Sequence, residues 1–236
     1  MRMWRMGAIT VAVACSLTGA AAAQELEGSA PRPLTAPKEA FEIDVTTGYT
    51  QGFGAISGRP GEALSDVAKG GIGVGVGLGY RATPELAVGL TGQYQELAPA
   101  ATQAMGTRVR GAAIGVEGKA HFRPYERVDP WLSLGAGYRM LWIAPEGPGN
   151  NVLQHGFELA RGRVGLDVRV SRDIALGPVI GGDVNLFTAR NPEGPAGDAV
   201  IPEKRASTFL FAGVQGRFDL GGSRVEKTGT IQIGSR

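Results

Sequence analysis

The sequence is poor in several residue types, and each shortage argues against a class of protein. One cysteine and two histidines among 236 residues argue against a disulfide-stabilised scaffold and against a zinc site. Charged residues make up only 19% of the chain, and the formal net charge of +2 gives no basis for a nucleic-acid partner. After the N-terminus, no segment approaches the roughly 20 consecutive apolar residues of a membrane-spanning helix. We therefore predict no metal, no cofactor and no nucleic-acid ligand.

Glycine, in contrast, is abundant. The chain holds 38 glycines, more than twice the usual share of about 7%. Each glycine in a helix costs about 1 kcal/mol relative to alanine, so this composition disfavours a helical bundle. The glycines show no three-residue period that would indicate collagen. Together with abundant valine, leucine and threonine, they predict an all-β protein.

The N-terminus has the pattern of a secretory signal peptide over residues 1–23. Arg2 and Arg5 precede an apolar stretch, and three alanines before Gln24 supply the small residues of a cleavage site. An N-terminal membrane anchor and lipoprotein processing at Cys15 are the alternatives. Cleavage before Gln24 would remove the single cysteine and leave 22 basic beside 22 acidic residues, a formal net charge of zero.

From residue 41 onward, apolar residues recur at every second position, which is the period of a β-strand with two unlike faces. In the second such segment, for example, Ile72, Val74 and Val76 alternate with glycine. Eight segments follow this pattern: 41–53, 70–82, 86–97, 108–122, 131–143, 156–170, 174–187 and 206–220. Each is at least as long as the roughly 9–11 residues with which a tilted strand crosses a bilayer.

The connections between these segments alternate between short and long. The short ones are 83–85, 123–130 and 171–173, and the long ones are 54–69, 98–107, 144–155 and 188–205. In an up-and-down barrel, this alternation places every short turn at one rim and every long loop at the other, as in barrels of the bacterial outer membrane. We therefore predict a single eight-stranded antiparallel up-and-down transmembrane β-barrel with short periplasmic turns and four longer extracellular loops.

The predicted barrel occupies residues 41–220. Residues 24–40 contain three prolines and are predicted to form a periplasmic linker, and residues 221–236 are predicted to form a periplasmic tail. The expected location is the outer membrane of a Gram-negative bacterium. A soluble lipocalin-like periplasmic barrel is an alternative, in which water would solvate the polar face of the sheet.

The positions between the apolar residues define the second face of each strand. That face carries six acidic and six basic side chains, which a narrow eight-stranded barrel would enclose. Unpaired charges there would be costly, so we predict that they neutralise one another. The predicted interior charge network consists of Glu42, Asp44, Glu117, Lys119, Arg139, Arg161, Arg163, Asp167, Arg169, Asp183, Arg217 and Asp219. Glycines on the same face, such as Gly73 and Gly75, would leave room for the long arginines.

Aromatic residues fall near the ends of the predicted strands, as in the aromatic girdles at the two membrane–water interfaces. The predicted girdle residues are Phe41, Tyr80, Phe122 and Phe218 toward the short turns and Tyr49, Tyr94 and Trp142 toward the long loops. Two features depart from the pattern. Pro178 falls within the seventh strand, where we predict a β-bulge. Phe209 and Phe211 have inward parity, so they either cap the interior or indicate a register error.

Two segments carry a family resemblance: Tyr80-Arg81-Ala82-Thr83-Pro84-Glu85-Leu86 and Pro130-Trp131-Leu132-Ser133-Leu134-Gly135-Ala136-Gly137-Tyr138. With the strand and loop pattern, they resemble the small eight-stranded outer-membrane barrels, the superfamily of OmpX, OmpW and the transmembrane domain of OmpA. The resemblance covers residues 41–220. It implies contact with outer-membrane lipid and lipopolysaccharide, recognition by the outer-membrane assembly machinery and a monomeric state. Members commonly end on an aromatic residue, whereas this chain continues beyond Leu220.

Some barrels of this kind are enzymes that modify lipid A, but a nucleophile, a base and an orienting acid cannot be assembled around His121 or His155: His121 has no His-x-Ser arrangement, and His155 has Glu158 nearby but no nearby nucleophile. We predict a non-enzymatic protein with a structural or surface-interaction role through its loops and an interior closed by the charge network. The alternative is a narrow conduit for small solutes, gated by the same charges. Arg108 and Arg110 are either contacts for lipopolysaccharide phosphates or solvated charges at a loop edge.

Overall fold

The structure is a computed structural model that describes residues 34–147, 151–192 and 197–224. The predicted signal peptide, residues 1–23, lies outside the described residues. Most of the predicted linker and residues 225–236 of the predicted tail also lie outside them. The predictions for those segments therefore stay predictions.

The alternating segments form strands. These are β1 (Ala40–Gly54), β2 (Ala68–Arg81), β3 (Leu86–Pro99), β4 (Arg108–His121), β5 (Val128–Ala144), β6 (Val152–Arg169), β7 (Ile174–Pro192), β8 (Ala199–Val200) and β9 (Ala206–Leu220). One four-residue helix, α1 (Leu64–Val67), lies in the first long connection. The eight long strands lie where the alternation predicts them. The largest differences are that β6 begins at Val152 rather than at 156 and that β7 continues to Pro192 rather than ending at 187.

The eight long strands form a closed antiparallel ring. Neighbours along the chain pair from β1 to β7, β9 pairs with both β1 and β7, and the two-residue β8 pairs with the end of β7. The connections 82–85, 122–127 and 170–173 join strands at one rim, here called the turn end. The connections 55–67, 100–107, 145–151 and 193–205 join strands at the other rim, the loop end. The predicted all-β, eight-stranded antiparallel barrel is therefore confirmed.

The two faces of the barrel wall have opposite chemistry. The outward side chains of β2, which are Ile72, Val74, Val76 and Leu78, are between 48% and 67% exposed. Inward positions carry charged groups, amides, hydroxyls and glycines, and most of the polar ones are buried. This arrangement is the reverse of a soluble domain, whose apolar side chains lie inside. No helix among the described residues is long and apolar enough to cross a bilayer.

Irregular pairing occurs in β6 and β7. One extra residue between Glu158 and Ala160 shifts the register of β6 against both of its neighbours. The bulge predicted at Pro178 is wrong, because the register of β6 against β7 is the same on both sides of this residue. Instead, the β6–β7 pairing is interrupted at Leu166 and Asp167. The interruption accommodates a residue that has no N–H to donate to a neighbouring strand.

Two pairs of inward-facing glycines bring neighbouring backbones close together. Gly48 of β1 lies opposite Gly213 of β9, and Gly115 of β4 lies opposite Gly137 of β5. A Cβ atom on Gly48 would lie 2.3 Å from the carbonyl oxygen of Ala212, and one on Gly115 would lie 2.4 Å from a carbonyl oxygen of β5. The two pairs are on opposite sides of the ring. Glycine thus permits the close approach that tight strand coiling requires.

The two ends of the described chain meet at the turn end. The backbones of Lys38 and Ser223 exchange two hydrogen bonds, of 2.9 and 3.0 Å. Arg224 donates from Nε to the carbonyl oxygen of Thr35 and pairs with Asp173 at 2.7 Å. The buried Thr35 lies within the predicted linker. The described end of that linker is therefore packed against the barrel.

Substitution of Gly48 by alanine is expected to destabilise the barrel by about 1–3 kcal/mol, because the new methyl group would meet the backbone of β9. Urea unfolding in detergent micelles, followed by circular dichroism, measures the change. Gly118→Ala is the matched control, since a Cβ there would meet nothing within 4 Å. Equal midpoints for the two variants would contradict the role assigned to Gly48.

Candidate functional site

The barrel interior gathers the predicted charge network. Strand alternation points these side chains inward, and all except Glu117 are at least nine-tenths buried. Glu117 is partly exposed and forms no ion pair with any other described residue. The structure also brings in Arg81, Asp129 and Glu158, which the sequence-based set omits. Seven basic side chains therefore face eight acidic ones.

At the turn end, the network is centred on His121. The Arg81 guanidinium contacts Glu42 and donates to the carbonyl oxygen of Pro84 at 2.6 Å. Its Nη2 atom also lies 2.9 Å from Nε2 of His121. On the other side of the imidazole, Nδ1 lies 2.8 Å from Oδ2 of Asp129. All of these side chains are buried.

These contacts determine which ring nitrogen of His121 carries the proton. A guanidinium group can only donate, so Nε2 of His121 must accept the hydrogen bond from Arg81. Nδ1 then carries the proton and donates it to Asp129. The ligand atoms of His121, Asp129 and Asp167 lie within 4.8 Å of one another, as in a metal site. However, both imidazole nitrogens are engaged and Arg217 approaches the same ring at 3.4 Å, so the charge distribution opposes a cation.

Three basic residues extend the network around the turn end. Arg217 contacts Asp167 and lies 3.3 Å from Asp219, and Arg169 binds the same Asp219 at 2.8 Å. Lys119 contacts Asp44 and lies 5.1 Å from the centre of the buried Trp131 ring. Charges in this part of the interior are therefore shared between several partners rather than held in isolated pairs.

Nearer the loop end, Arg139 is the central group. It pairs with Asp183 at 2.7 Å and lies 3.5 Å from Glu158. It also donates to Oε1 of Gln95 at 3.0 Å, and its guanidinium lies 4.4 Å from the centre of the Phe209 ring. Arg139 thus joins the charged interior to an apolar residue above it.

Arg161 and Arg163 occupy the middle of the interior. Arg161 pairs with Glu158 at 2.6 Å and contacts the hydroxyl of Thr91 on the far side of the barrel. Arg163 lies 3.4 Å from Gln93, and its guanidinium lies 5.8 Å from the centre of the Phe211 ring. Both arginines therefore reach across the space that a solute would have to occupy.

An apolar cluster fills the interior at the loop end. This apolar cap consists of Ile56, Leu64, Val67, Ala68, Leu97, Val109, Leu141, Phe187, Ile201 and Phe209. Four of its members come from the long connections and are at most 5% exposed: Ile56, Leu64, Val67 and Ile201. Phe209 and Phe211 are buried inside the barrel, so they do not mark a register error. The cap lies between the charged side chains and the loops.

Two connections above the cap are hydrogen-bonded to each other. They are loop 1, residues 55–67, and loop 4, residues 193–205, of which the structure describes residues 197–205. Gly58 donates its backbone N–H to Glu203 at 2.9 Å. The side chain of Glu62 also accepts hydrogen bonds from Ser57 of loop 1 and from Arg190 of β7, the latter at 2.7 Å, and so attaches loop 1 to the barrel wall. Burial, the largest influence on Glu62, acts to raise its pKa, but these hydrogen bonds outweigh burial and hold the pKa below the usual 4.5.

Three network members, Arg81, Asp129 and Glu158, are missing from the sequence-based set for identifiable reasons. Arg81 and Asp129 lie where strands meet turns, and Asp129 falls within β5 only because that strand begins at Val128. Glu158 has outward parity when counted back from the regular part of β6. The extra residue between Glu158 and Ala160 reverses the parity and points Glu158 inward. Arg81, the last residue of β2, has the same inward parity as Gly73 and Gly75, so the alternation carried to the end of the strand would have included it in the network.

The predicted girdle residues lie on the outward face. Phe41, Tyr49, Tyr80, Tyr94, Phe122 and Phe218 are exposed, and Trp142 is half-buried. Phe41 and Tyr80 form an edge-to-face pair with ring centres 5.5 Å apart at the turn end. Tyr94 of β3 and Trp142 of β5 lie on opposite sides of β4 at the loop end. Their girdle role stays a prediction.

A polar series lies outside the barrel wall, near the loop end. Tyr138 contacts Nδ1 of His155, and Nε2 of the same ring lies 3.4 Å from Asp198. Asn191 donates to the same Asp198 oxygen at 2.9 Å. The series therefore attaches loop 4 to β5 and β6.

No protein-family model matches the sequence, and no curated protein matches it. Solved structures do match the fold. The crystal structure of Neisserial surface protein A aligns over 75% of this chain and 96% of that chain, with 14% identity and a TM-score of 0.50. The outer membrane protein OprG from Pseudomonas aeruginosa aligns over 78% of this chain and 98% of that chain, with 11% identity and a TM-score of 0.50. The chain therefore has the fold of a small eight-stranded outer-membrane barrel.

The contact between Glu62 of loop 1 and Arg190 of β7 is expected to weaken in acid. Because the pKa of Glu62 is lowered in the folded protein, its stabilising effect is full above pH 4.5 and is lost as the pH falls through the folded value. Hydrogen exchange of loop 1, corrected for intrinsic rates and compared at about pH 6 and about pH 3, measures this loss. Glu62→Gln is the control, since it removes the titrating group. A pH dependence of equal size in both proteins would contradict the assignment.

Proposed function

We propose that the protein is an integral outer-membrane barrel, with the turn end toward the periplasm and the loop end toward the exterior. Its role is structural, or one of surface interaction through the loops. The interior is closed to solutes, and the protein is not an enzyme. The observation that carries this proposal is the pairing of an apolar exterior with a filled polar interior.

The exterior supports membrane insertion. Each of the eight long strands contributes outward apolar side chains that are between 45% and 65% exposed, for example Val45, Val76, Leu90, Val116, Leu134, Val164, Ile180 and Val214. A soluble monomer rarely exposes an apolar surface that continues around its whole circumference. In a bilayer, the same side chains would contact lipid, and the aromatic residues at both ends would lie at the interfaces.

The interior supports closure. Arg139, Arg161 and Arg163 cross the centre of the barrel, and the apolar cap fills its upper part. A cavity beside Glu42 and Lys119 measures about 10 Å³, enough for about one water molecule. A solute would have to displace both the cap and several ion pairs.

A narrow conduit is the second candidate function. The observation that favours it is the continuity of polar side chains from Arg217 at the turn end to Arg139 below the cap. For conduction, loop 1 and loop 4 would have to separate and carry their cap residues away.

Both histidines have contacts that favour a non-enzymatic role. His121 orients charged partners inside the turn end, and His155 attaches loop 4 to the wall. Neither imidazole ring contacts a serine, threonine or cysteine side chain in the contacts of the described residues, and the Thr188 hydroxyl donates to the backbone carbonyl of His155 rather than to its ring. Mass spectra of lipid A from cells with and without the protein would reveal a modifying activity if one existed.

Cell fractionation tests the location. The protein is expected in the outer-membrane fraction, to resist extraction by alkaline carbonate and to need detergent for release, because its exterior is apolar. Unheated samples should migrate differently from boiled ones on denaturing gels, as a closed barrel resists unfolding by detergent. Release without detergent would contradict membrane insertion and favour the soluble periplasmic barrel.

Planar-bilayer recording tests closure. The wild-type protein is expected to give no stable single-channel current, because the cap and the crossing arginines fill the interior. A stable, reproducible conductance would contradict closure and support the narrow conduit. In that case, Arg139→Ala and Arg163→Ala should each raise the current, whereas Arg123→Ala, which alters an exposed turn, should leave it unchanged.

A further inference from the structure

We propose that a groove at the loop end, on the outward face of β4 and β5, binds the phosphate of an anionic membrane lipid headgroup. This inference rests on the proposed membrane location and assigns a ligand class to one part of its surface. The groove, here called the β4–β5 groove, has a volume of about 460 Å³. Its lining includes Tyr94, Arg108, Arg110 and Trp142, and Asn151 lies at its edge nearest the loop.

The backbone places two arginines side by side in this groove. Arg108 and Arg110 are separated by one residue on β4, so both project from the same face of the strand, roughly 7 Å apart. Arg110 lies opposite Trp142 of β5, and Arg108 lies opposite Ala144. Both arginines are exposed. One phosphate group is within reach of two guanidinium groups held at this spacing.

Neither arginine has a carboxylate partner among the described residues. Glu96 lies opposite Arg110 in the pairing of β3 with β4, but the two side chains form no ion pair within 4.0 Å. Inside the barrel, by contrast, nearly every basic group contacts an acidic one. Arg108 and Arg110 therefore keep their donors available for an external anion.

The position along β4 indicates a lipid rather than a free anion. The outward residues of β4 run Arg108, Arg110, Ala112, Ile114 and Val116 from the loop end. The arginines thus begin where the apolar exterior stops. At this level a bilayer presents its headgroup phosphates, with acyl chains on the apolar side.

The aromatic residues fit the same ligand. Tyr94 lies opposite Ala112, one step nearer the apolar exterior than Arg110, and Trp142 flanks Arg110 directly. Tyrosine and tryptophan favour the membrane interface because one end of the side chain is apolar and the other forms hydrogen bonds. The β4–β5 groove therefore offers cationic groups for a phosphate and an apolar floor for the first part of an acyl chain.

The test uses the protein purified from membranes in a non-ionic maltoside detergent and titrated with phosphatidic acid. A Trp131→Phe background leaves Trp142 as the sole tryptophan after residue 23, so its emission reports on the groove. Arg108→Gln with Arg110→Gln is expected to raise the half-saturating lipid concentration about tenfold. The matched control is Arg59→Gln with Arg205→Gln, which removes the same charge from exposed positions across the loop end and should leave binding unchanged.

A second measurement does not depend on the tryptophan substitution. Phosphatidic acid retained by the otherwise unaltered chain after gel filtration is quantified, and the double variant should retain less than the control. Equal retention or equal affinity in the two would overturn the proposal, as would an equal response to diacylglycerol, which lacks the phosphate. A full response to inorganic phosphate alone would also overturn it, in favour of a free-anion site. Fractionation tests the membrane location separately, so the two proposals can fail independently.

Discussion

The narrowness of a ring of eight strands is the constraint on which the rest of this structure depends. Alternate side chains of every strand must point into a space that is only a few side chains wide, where water cannot solvate charges freely. The buried arginines are compatible with that space because carboxylates and amides from opposite strands reach them, as Asp183 and Gln95 reach Arg139. Inward glycines provide the remaining room and the tight coiling.

The interior is divided along its axis into two chemically distinct parts. Shared ion pairs fill the part nearer the turns, and the apolar cap fills the part beneath the loops. Arg139 and Phe209 meet at the boundary, where a cation lies over an aromatic face. The cap combines loop residues such as Ile56 and Ile201 with strand residues such as Phe187, whereas the charge network consists of strand residues alone. Changes in the loops would therefore alter part of the cap while leaving every residue of the charge network in place.

The two-residue period of the sequence predicted the strands, the closed barrel and the positions of the inward charges, because each is a local property of an extended chain. It did not predict Glu158, whose orientation depends on one extra residue in β6, or the cap residues Ile56 and Ile201, which lie in connections without a period. It also did not predict partners. Arg161 reaches Thr91, 70 residues away, and such contacts depend on the three-dimensional closure of the ring.

The pairing of β1 with β9 has a consequence for how the protein forms. It joins the first and last strands, with Phe41 opposite Leu220, and the contact from Gln215 to Asp44 spans 171 residues. These are the costliest contacts to form in chain entropy, and they require that the whole barrel sequence be present. Until they form, an open sheet in the proposed membrane location would present the arginines and carboxylates to the hydrocarbon. For the membrane location proposed above, closure and insertion would therefore proceed together, and a chain truncated before β9 would lack the strand that pairs with both β1 and β7.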